Sequence, residues 1–212
     1  MRGEPRWPSV TAVVVAMLLT LVRPKDVRLL PLWVLPVVEI VLLTVLIVRD
    51  PGRIDKRSSF LRGVSITVTG LLVLDALGST VRLVAALIHG GSVTNSPSKL
   101  LIAGAVVWLS NLLSFALLYW ELDAGGAANR AHRMPQYLDL AFTQQISPEL
   151  APPNWRPGFG DYLYLGLTTS TAFSPTDVMP LALWAKFAMG LQSMIALAVV
   201  GLVVARAVNV FT

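Results

Sequence analysis

Three ionisable side chains lie inside apolar stretches of the sequence, where a charge is costly to bury. Glu39 falls near the centre of the stretch 29–48, and Asp75 and Arg82 fall in the stretch 62–89. At mid-bilayer each such charge costs roughly 2.5–3.5 kcal/mol on insertion scales, so each is expected to face protein or water. The first interpretation is a structural ion pair that fixes helix packing. The second is a proton relay or the lining of a solute path.

The spacing of these charges limits which of them can meet. Asp75 and Arg82 share a helix face, two turns and about 10 Å apart along the backbone. A direct contact between them is strained, so Arg82 is expected to reach Glu39 on a neighbouring helix. Other polar residues within apolar segments are expected to hydrogen-bond across helices; they are Ser110, Asn111, Ser114, Gln192 and Ser193.

A second group of polar residues lies near the C-terminus, in the stretch TTSTAFSPTDVMP at 168–180. The preceding residues 161–173 are apolar, but a membrane-crossing helix needs about 20 residues. This segment is therefore predicted to enter the membrane part-way and return. The alternative is ordinary helix capping, with Ser174, Thr176 or Asp177 as the N-cap of the last helix.

Asp177, Pro180 and Lys186 set a frame that connects this stretch with a known family. A short aromatic half-helix, a hydroxyl-rich loop, an aspartate, a proline, a lysine and a long apolar helix follow one another in 161–212. This order resembles the pore loop and inner helix of potassium channels. In that family the loop reads T-T-V-G-Y-G-D, whereas this chain has the non-standard filter TAFSPTD.

The resemblance implies a function and an assembly. It implies an ion-channel-like pore that conducts monovalent cations and is built from four copies of the chain, because each copy supplies one loop. The residues that would line or support the constriction are Thr171, Phe173, Ser174, Thr176 and Asp177.

The C-terminal tail also resembles a second group of proteins. Its pattern DYLY…TAFSPTD…PL…AK…QS…VARAVN is similar to that of a group of bacterial integral membrane proteins. The earlier motifs LDAGG and WRPGF (155–159) fit the same group. This similarity implies a membrane location and no particular activity.

The apolar segments predict an all-α, polytopic helical membrane protein with about five transmembrane helices and a re-entrant half-helix. The predicted division is a four-helix transmembrane region at 1–123, a Pro/Gly-rich interfacial loop at 124–160 and the pore-loop-like unit at 161–212. Within the loop, residues 137–146 are expected to form a short interfacial helix. The five predicted spans are 8–22, 29–48, 62–89, 99–121 and 181–210.

Composition supports a multi-pass protein of the cell membrane. The chain is 55% hydrophobic, 14% charged and has a mean hydropathy of +0.68, whereas soluble domains carry roughly 25% charged residues. The net charge of +5 does not indicate nucleic acid, because the basic residues cluster in loops beside apolar runs. The lipid bilayer is the expected partner.

Several chemistries are not predicted. Cysteine is absent, and His89 and His132 have no partners at metal-ligand spacing, so no metal or cofactor is expected. An enzyme is not predicted either, because the sequence lacks a phosphate-binding glycine loop, an H-E-x-x-H motif and a nucleophile elbow.

The basic loops also predict an orientation. The 49–62 loop, RDPGRIDKRSSFLR, and the 122–160 segment lie on one side, which the positive-inside rule places in the cytoplasm. The predicted pore loop would then open to the cytoplasm, whereas potassium channels open theirs outward.

Two alternatives to a pore remain. One is a non-conducting scaffold or accessory subunit, in which Asp75→Asn and Arg82→Gln would lower stability. The other is a proton-coupled carrier of small solutes that uses Glu39 and Asp75.

Overall fold

The computed structural model describes residues 3–54, 58–90, 96–132, 137–171 and 177–211 of the chain, and this part is almost entirely helical. The helices are α1 Trp7–Val22, α2 Val34–Arg49, α3 Ser59–His89, α4 Pro97–Leu122, α5 Ala127–His132, α6 Thr143–Ile146, α7 Phe159–Thr171 and α8 Leu183–Phe211. Short 3₁₀ turns occupy Lys25–Val27, Asp123–Gly125 and Pro148–Leu150.

Three helices are long and apolar enough to cross a membrane, which is compatible with an integral membrane protein. Their spans are Ser59–His89, Pro97–Gly125 and Leu183–Arg206. Helices α1 and α2 have 16 residues each, or about 24 Å at 1.5 Å per residue. This length is below the roughly 30 Å of a bilayer core, so the count of five spans stays a prediction.

Helix α4 forms the centre of the bundle. It packs against α1, α3, α7 and α8, and its second half is buried almost continuously from Ser110 to Glu121. This half is apolar around most of its circumference, as expected of a helix with neighbours on all sides. Helix α2 packs on the outside, against α1 and α3.

The N-terminal arm, the connection between α2 and α3 and the long connection between α4 and α7 meet at one end of the bundle, which we call the arm end. Here Pro5 forms a β-bridge with Arg53, and Arg6 forms an ion pair with Asp50, with 2.8 Å between Nη2 and Oδ2. Glu4 accepts a hydrogen bond from the indole of Trp120 near the end of α4. The arm therefore ties the connection after α2 to the end of α4.

The structure corrects the interpretation of 137–146 as a single interfacial helix. Residues Leu140–Phe142 form strand β1, and only the four residues Thr143–Ile146 are helical. Strand β1 pairs in antiparallel fashion with β2, Val178–Pro180, and Leu140 lies opposite Pro180. A distant part of the chain supplies the pairing, which local sequence does not reveal.

Candidate functional site

In the described structure, the segment predicted to be re-entrant begins with α7 and finishes with β2, both at the arm end; we call α7, β2 and α8 together the α7–α8 hairpin. At its start, the Tyr162 hydroxyl in α7 donates to Asp123 Oδ2 at 2.5 Å. At its end, β2 pairs with β1, whose Leu140 amide donates to Asp123 Oδ1 at 3.2 Å. Between them, Ser170 near the end of α7 contacts Gln192, well inside α8. Helix α7 thus runs inward from the arm end beside α8, and the chain is back at the arm end at β2.

Gln192 fastens α7 to the bundle. Its side chain is fully buried, and Nε2 donates to the Gly166 carbonyl at 2.9 Å and to Ser170 Oγ at 2.8 Å. Its Oε1 accepts from the Tyr119 hydroxyl of α4 at 2.6 Å. One amide therefore joins α4, α7 and α8 with every polar atom of the amide engaged.

The prediction of hydrogen bonds across helices is confirmed for other polar residues as well. Ser193 Oγ donates to the Thr169 carbonyl at 3.3 Å, and Asn111 Nδ2 donates to Thr80 Oγ1 at 2.8 Å. Ser114 Oγ donates to a backbone carbonyl of α3 at 3.2 Å. These bonds hold α3, α7 and α8 to their neighbours.

Two of the five predicted pore-loop residues lie in the described part of the chain. Thr171 is the exposed last residue of α7, and its hydroxyl donates to the Leu167 carbonyl at 2.8 Å. The Asp177 carbonyl accepts from the Thr143 amide at 3.1 Å and from the Thr143 hydroxyl at 2.8 Å. Phe173, Ser174 and Thr176 lie outside the described residues.

Asp177 does not cap the last helix, which corrects that alternative for this residue. Strand β2 and Leu181 lie between Asp177 and Leu183, where α8 starts. The Asp177 carboxylate instead has one oxygen, Oδ1, that is buried and has no hydrogen-bond partner among the described residues.

The buried charges meet in a way that the spacing did not predict. Arg23, directly after α1, is completely buried and forms an ion pair with Asp75, with 2.7 Å between Nη1 and Oδ2. The same guanidinium donates to the hydroxyls of Ser79 and Ser110, the latter at 3.2 Å. Because α1 is short, Arg23 at its C-terminal end lies beside the middle of α3 and of α4.

The expected partnership of Arg82 with Glu39 is wrong. Arg82 is exposed on α3, and the charged groups that act on Glu39 are Asp75 and Arg23. Glu39 itself is fully buried, and neither of its carboxylate oxygens has a hydrogen-bond partner within the described residues. Sequence reasoning missed Arg23 because it lies in LVRPK, beyond the apolar run, where a cation is expected at the interface.

A second buried cation, Arg130, organises the arm end and was also missed. Its side chain bonds to Glu4 Oε1 through Nε at 3.1 Å and Nη2 at 3.0 Å. Its guanidinium carbon lies 5.0 Å from the ring centroid of Tyr162 and 5.9 Å from that of Trp120, within cation–π range. Together with Asp123, these residues join the N-terminal arm to α4 and α7.

The backbone conformation at residues 124–126 explains the two glycines of the LDAGG motif. Ala124, Gly125 and Gly126 all have positive φ, at 53°, 75° and 91°, a region that glycine occupies readily. The resulting tight turn presents the Asp123 carbonyl to Arg130 Nη1 at 2.8 Å. The glycines therefore place a carbonyl where a buried guanidinium needs an acceptor.

At the start of α7, burial raises the pKa of the Asp161 carboxyl, while a hydrogen bond from the Gly158 amide at 2.8 Å opposes the shift.

Within the described ranges, no group of three or more His, Cys, Asp or Glu residues could hold a metal ion.

The chain matches no protein-family model, no curated protein and no solved structure. The arguments for function therefore come from the three apolar helices, the hairpin and the buried charges.

Proposed function

We propose that the protein is an ion-channel-like pore of the cell membrane, assembled from copies of this chain, with the α7–α8 hairpin as its pore unit. The observation that carries the proposal is the path of the hairpin. A 13-residue helix leaves the arm end, and the chain is back at that end before the 29-residue helix α8 begins.

The neighbours of the hairpin support the proposal. Helix α4 finishes at the arm end, α7 starts there and α8 starts there again, and these three helices pack against one another. An outer helix, a half-helix and an inner helix follow the same order in the potassium-channel pore unit that 161–212 resembles. In this proposal α7 is embedded in the membrane from the arm end, which the basic loops assign to the cytoplasm.

Cation flux into liposomes that contain the purified protein tests the proposal. We expect flux with the wild type, and a changed rate or ion preference in both Asp177→Asn and Phe173→Ala, because a loop that sets selectivity acts on every permeating ion. Glu149→Asn and Tyr137→Ala serve as matched controls, since both side chains are exposed and both lie outside the α7–α8 hairpin. The controls should conduct like the wild type.

Oligomeric state provides an independent test. A hairpin that occurs once per chain can enclose a pore only in an assembly, and the potassium-channel resemblance proposes a tetramer. A protein that is strictly monomeric both in mild detergent and in lipid would contradict the pore proposal.

The paired charges favour a non-conducting scaffold or accessory subunit as the second candidate. Arg6, Arg23 and Arg130 each form an ion pair with a carboxylate, as expected of groups that fix packing. Under this alternative, wild type and all four variants show equal flux, no higher than protein-free liposomes, although the protein is folded and reconstituted.

A further inference from the structure

Glu39 is the one fully buried carboxyl group of the described chain that has no hydrogen-bond partner on either oxygen. The other buried carboxylates all have partners. Asp50 pairs with Arg6 and Asp75 with Arg23, Glu121 accepts from Ser65 at 2.6 Å, and Asp123 accepts from Tyr162.

An ionised carboxylate at this position would be expensive. Removing such an ion from water costs several kcal/mol, which only a close cation and additional hydrogen bonds can offset. Arg23 is the cation that attracts the Glu39 carboxylate. Its guanidinium already forms an ion pair with Asp75 at 2.7 Å and donates to two serine hydroxyls. Asp75 itself repels a second negative charge. Arg23 and Asp75 are the charged groups that act on Glu39 from the packed elements.

We propose that Glu39 is a proton-binding site inside the bundle, occupied at neutral pH so that its side chain is a neutral carboxylic acid. The ligand is the proton itself, which removes the charge that the site cannot compensate. A bound divalent cation is disfavoured, because such an ion needs several oxygen ligands and no group of three or more His, Cys, Asp or Glu residues lies among the described residues. The site is on α2, outside the α7–α8 hairpin, and so is independent of the pore.

Infrared difference spectroscopy tests the proposal on the full chain reconstituted in lipid at pH 7. Subtraction of the Glu39→Gln spectrum from the wild-type spectrum should show a carbonyl band of a protonated carboxylic acid, equivalent to one group per chain. The control is Glu149→Gln, whose side chain is exposed; its difference spectrum should show no carbonyl band of a protonated carboxylic acid.

The opposite result would overturn the proposal. Loss of carboxylate bands with no acid band in Glu39→Gln means that Glu39 is ionised, whether it is paired with Arg23 or with a bound cation. If Glu39→Gln does not fold, Glu39→Met places an apolar side chain of similar size in the site, and the same two outcomes apply.

Discussion

Arg23 illustrates how single residues balance charge in this bundle. Its guanidinium is fully buried, yet it has a carboxylate and two hydroxyl acceptors within reach. Buried charges are tolerated when they are paired and hydrogen-bonded. The pair also joins the end of α1 to α3, so a residue that the sequence places just beyond an apolar run fixes the centre of the fold.

Replacement of Asp75 by Asn should destabilise the protein strongly. The variant leaves Arg23 buried without its counter-charge, a loss of about 3–5 kcal/mol for a buried pair. Unfolding in detergent, followed by circular dichroism with increasing denaturant, measures the effect. Arg82→Gln is the control: Arg82 is exposed, and its replacement should change the free energy of unfolding by about 0.5 kcal/mol or less. Equal effects of the two variants would contradict the assigned pairing.

Tyr162 should matter for stability through its hydroxyl group. Tyr162→Phe removes the donor to Asp123 Oδ2 and leaves a buried oxygen without that bond, at a cost of about 1–3 kcal/mol. Tyr164→Phe makes the same chemical change two residues later on a side chain that is 49% exposed. The same measurement should find a lower free energy of unfolding for Tyr162→Phe and almost no change for Tyr164→Phe. The reverse order would contradict a stabilising role of the Tyr162–Asp123 hydrogen bond.

At the scale of elements, α7 depends on a close approach to α4. A side-chain carbon at Gly166 would lie 3.2 Å from the Leu112 carbonyl oxygen and 3.3 Å from Ala116 Cβ. Small residues allow membrane helices to pack at short distance. Gln192 then secures the same turn of α7 from the side of α8.

Gly166→Val should loosen or displace α7. The branched side chain overpacks the contact with α4, and such overpacking costs typically about 1–3 kcal/mol. Gly190→Val introduces the same residue in α8, where nothing lies within 4 Å of the added carbon. Amide hydrogen exchange should rise in 159–171 for Gly166→Val and stay at the wild-type level there for Gly190→Val. Unchanged exchange in both variants would show that the close approach is not needed.

At the scale of the whole molecule, the arm end links segments that are far apart in sequence. The N-terminal arm, the connection after α2, the end of α4 and the β1–β2 pair all meet there. Because the most basic connections lie at this end, the positive-inside rule predicts that it faces the cytoplasm.

Single cysteines can test this topology, since the chain has none of its own. Tyr137→Cys and Met179→Cys replace exposed side chains before β1 and within β2. Both should react with a membrane-impermeant maleimide from the cytoplasmic side, and Lys99→Cys at the opposite end of α4 should react only from outside. If the Met179 and Lys99 variants react from the same side, the chain does not return as the hairpin requires.

The sequence predicted the helical elements well where apolar runs were long. The predicted segments 62–89 and 99–121 correspond to α3 and α4 within a few residues, because an apolar run of that length has few alternatives to a helix. The cross-helix role of Gln192 was also predictable, since an amide inside an apolar helix needs partners. The β1–β2 pair was not, because α6, a 3₁₀ turn and α7 lie between the two strands in the sequence.

The sequence by itself determined the class of structure and the presence of buried polar groups. Composition and the length of apolar runs require helices that satisfy their own backbone, and each charge within them requires a partner. Only the tertiary structure decided which partner each charge has. Arg23 and not Arg82 meets Asp75, and Glu39 has no hydrogen-bond partner among the described residues. The relative lengths and depths of α1, α2 and α3 set these distances, and helical periodicity within one segment carries no information about them.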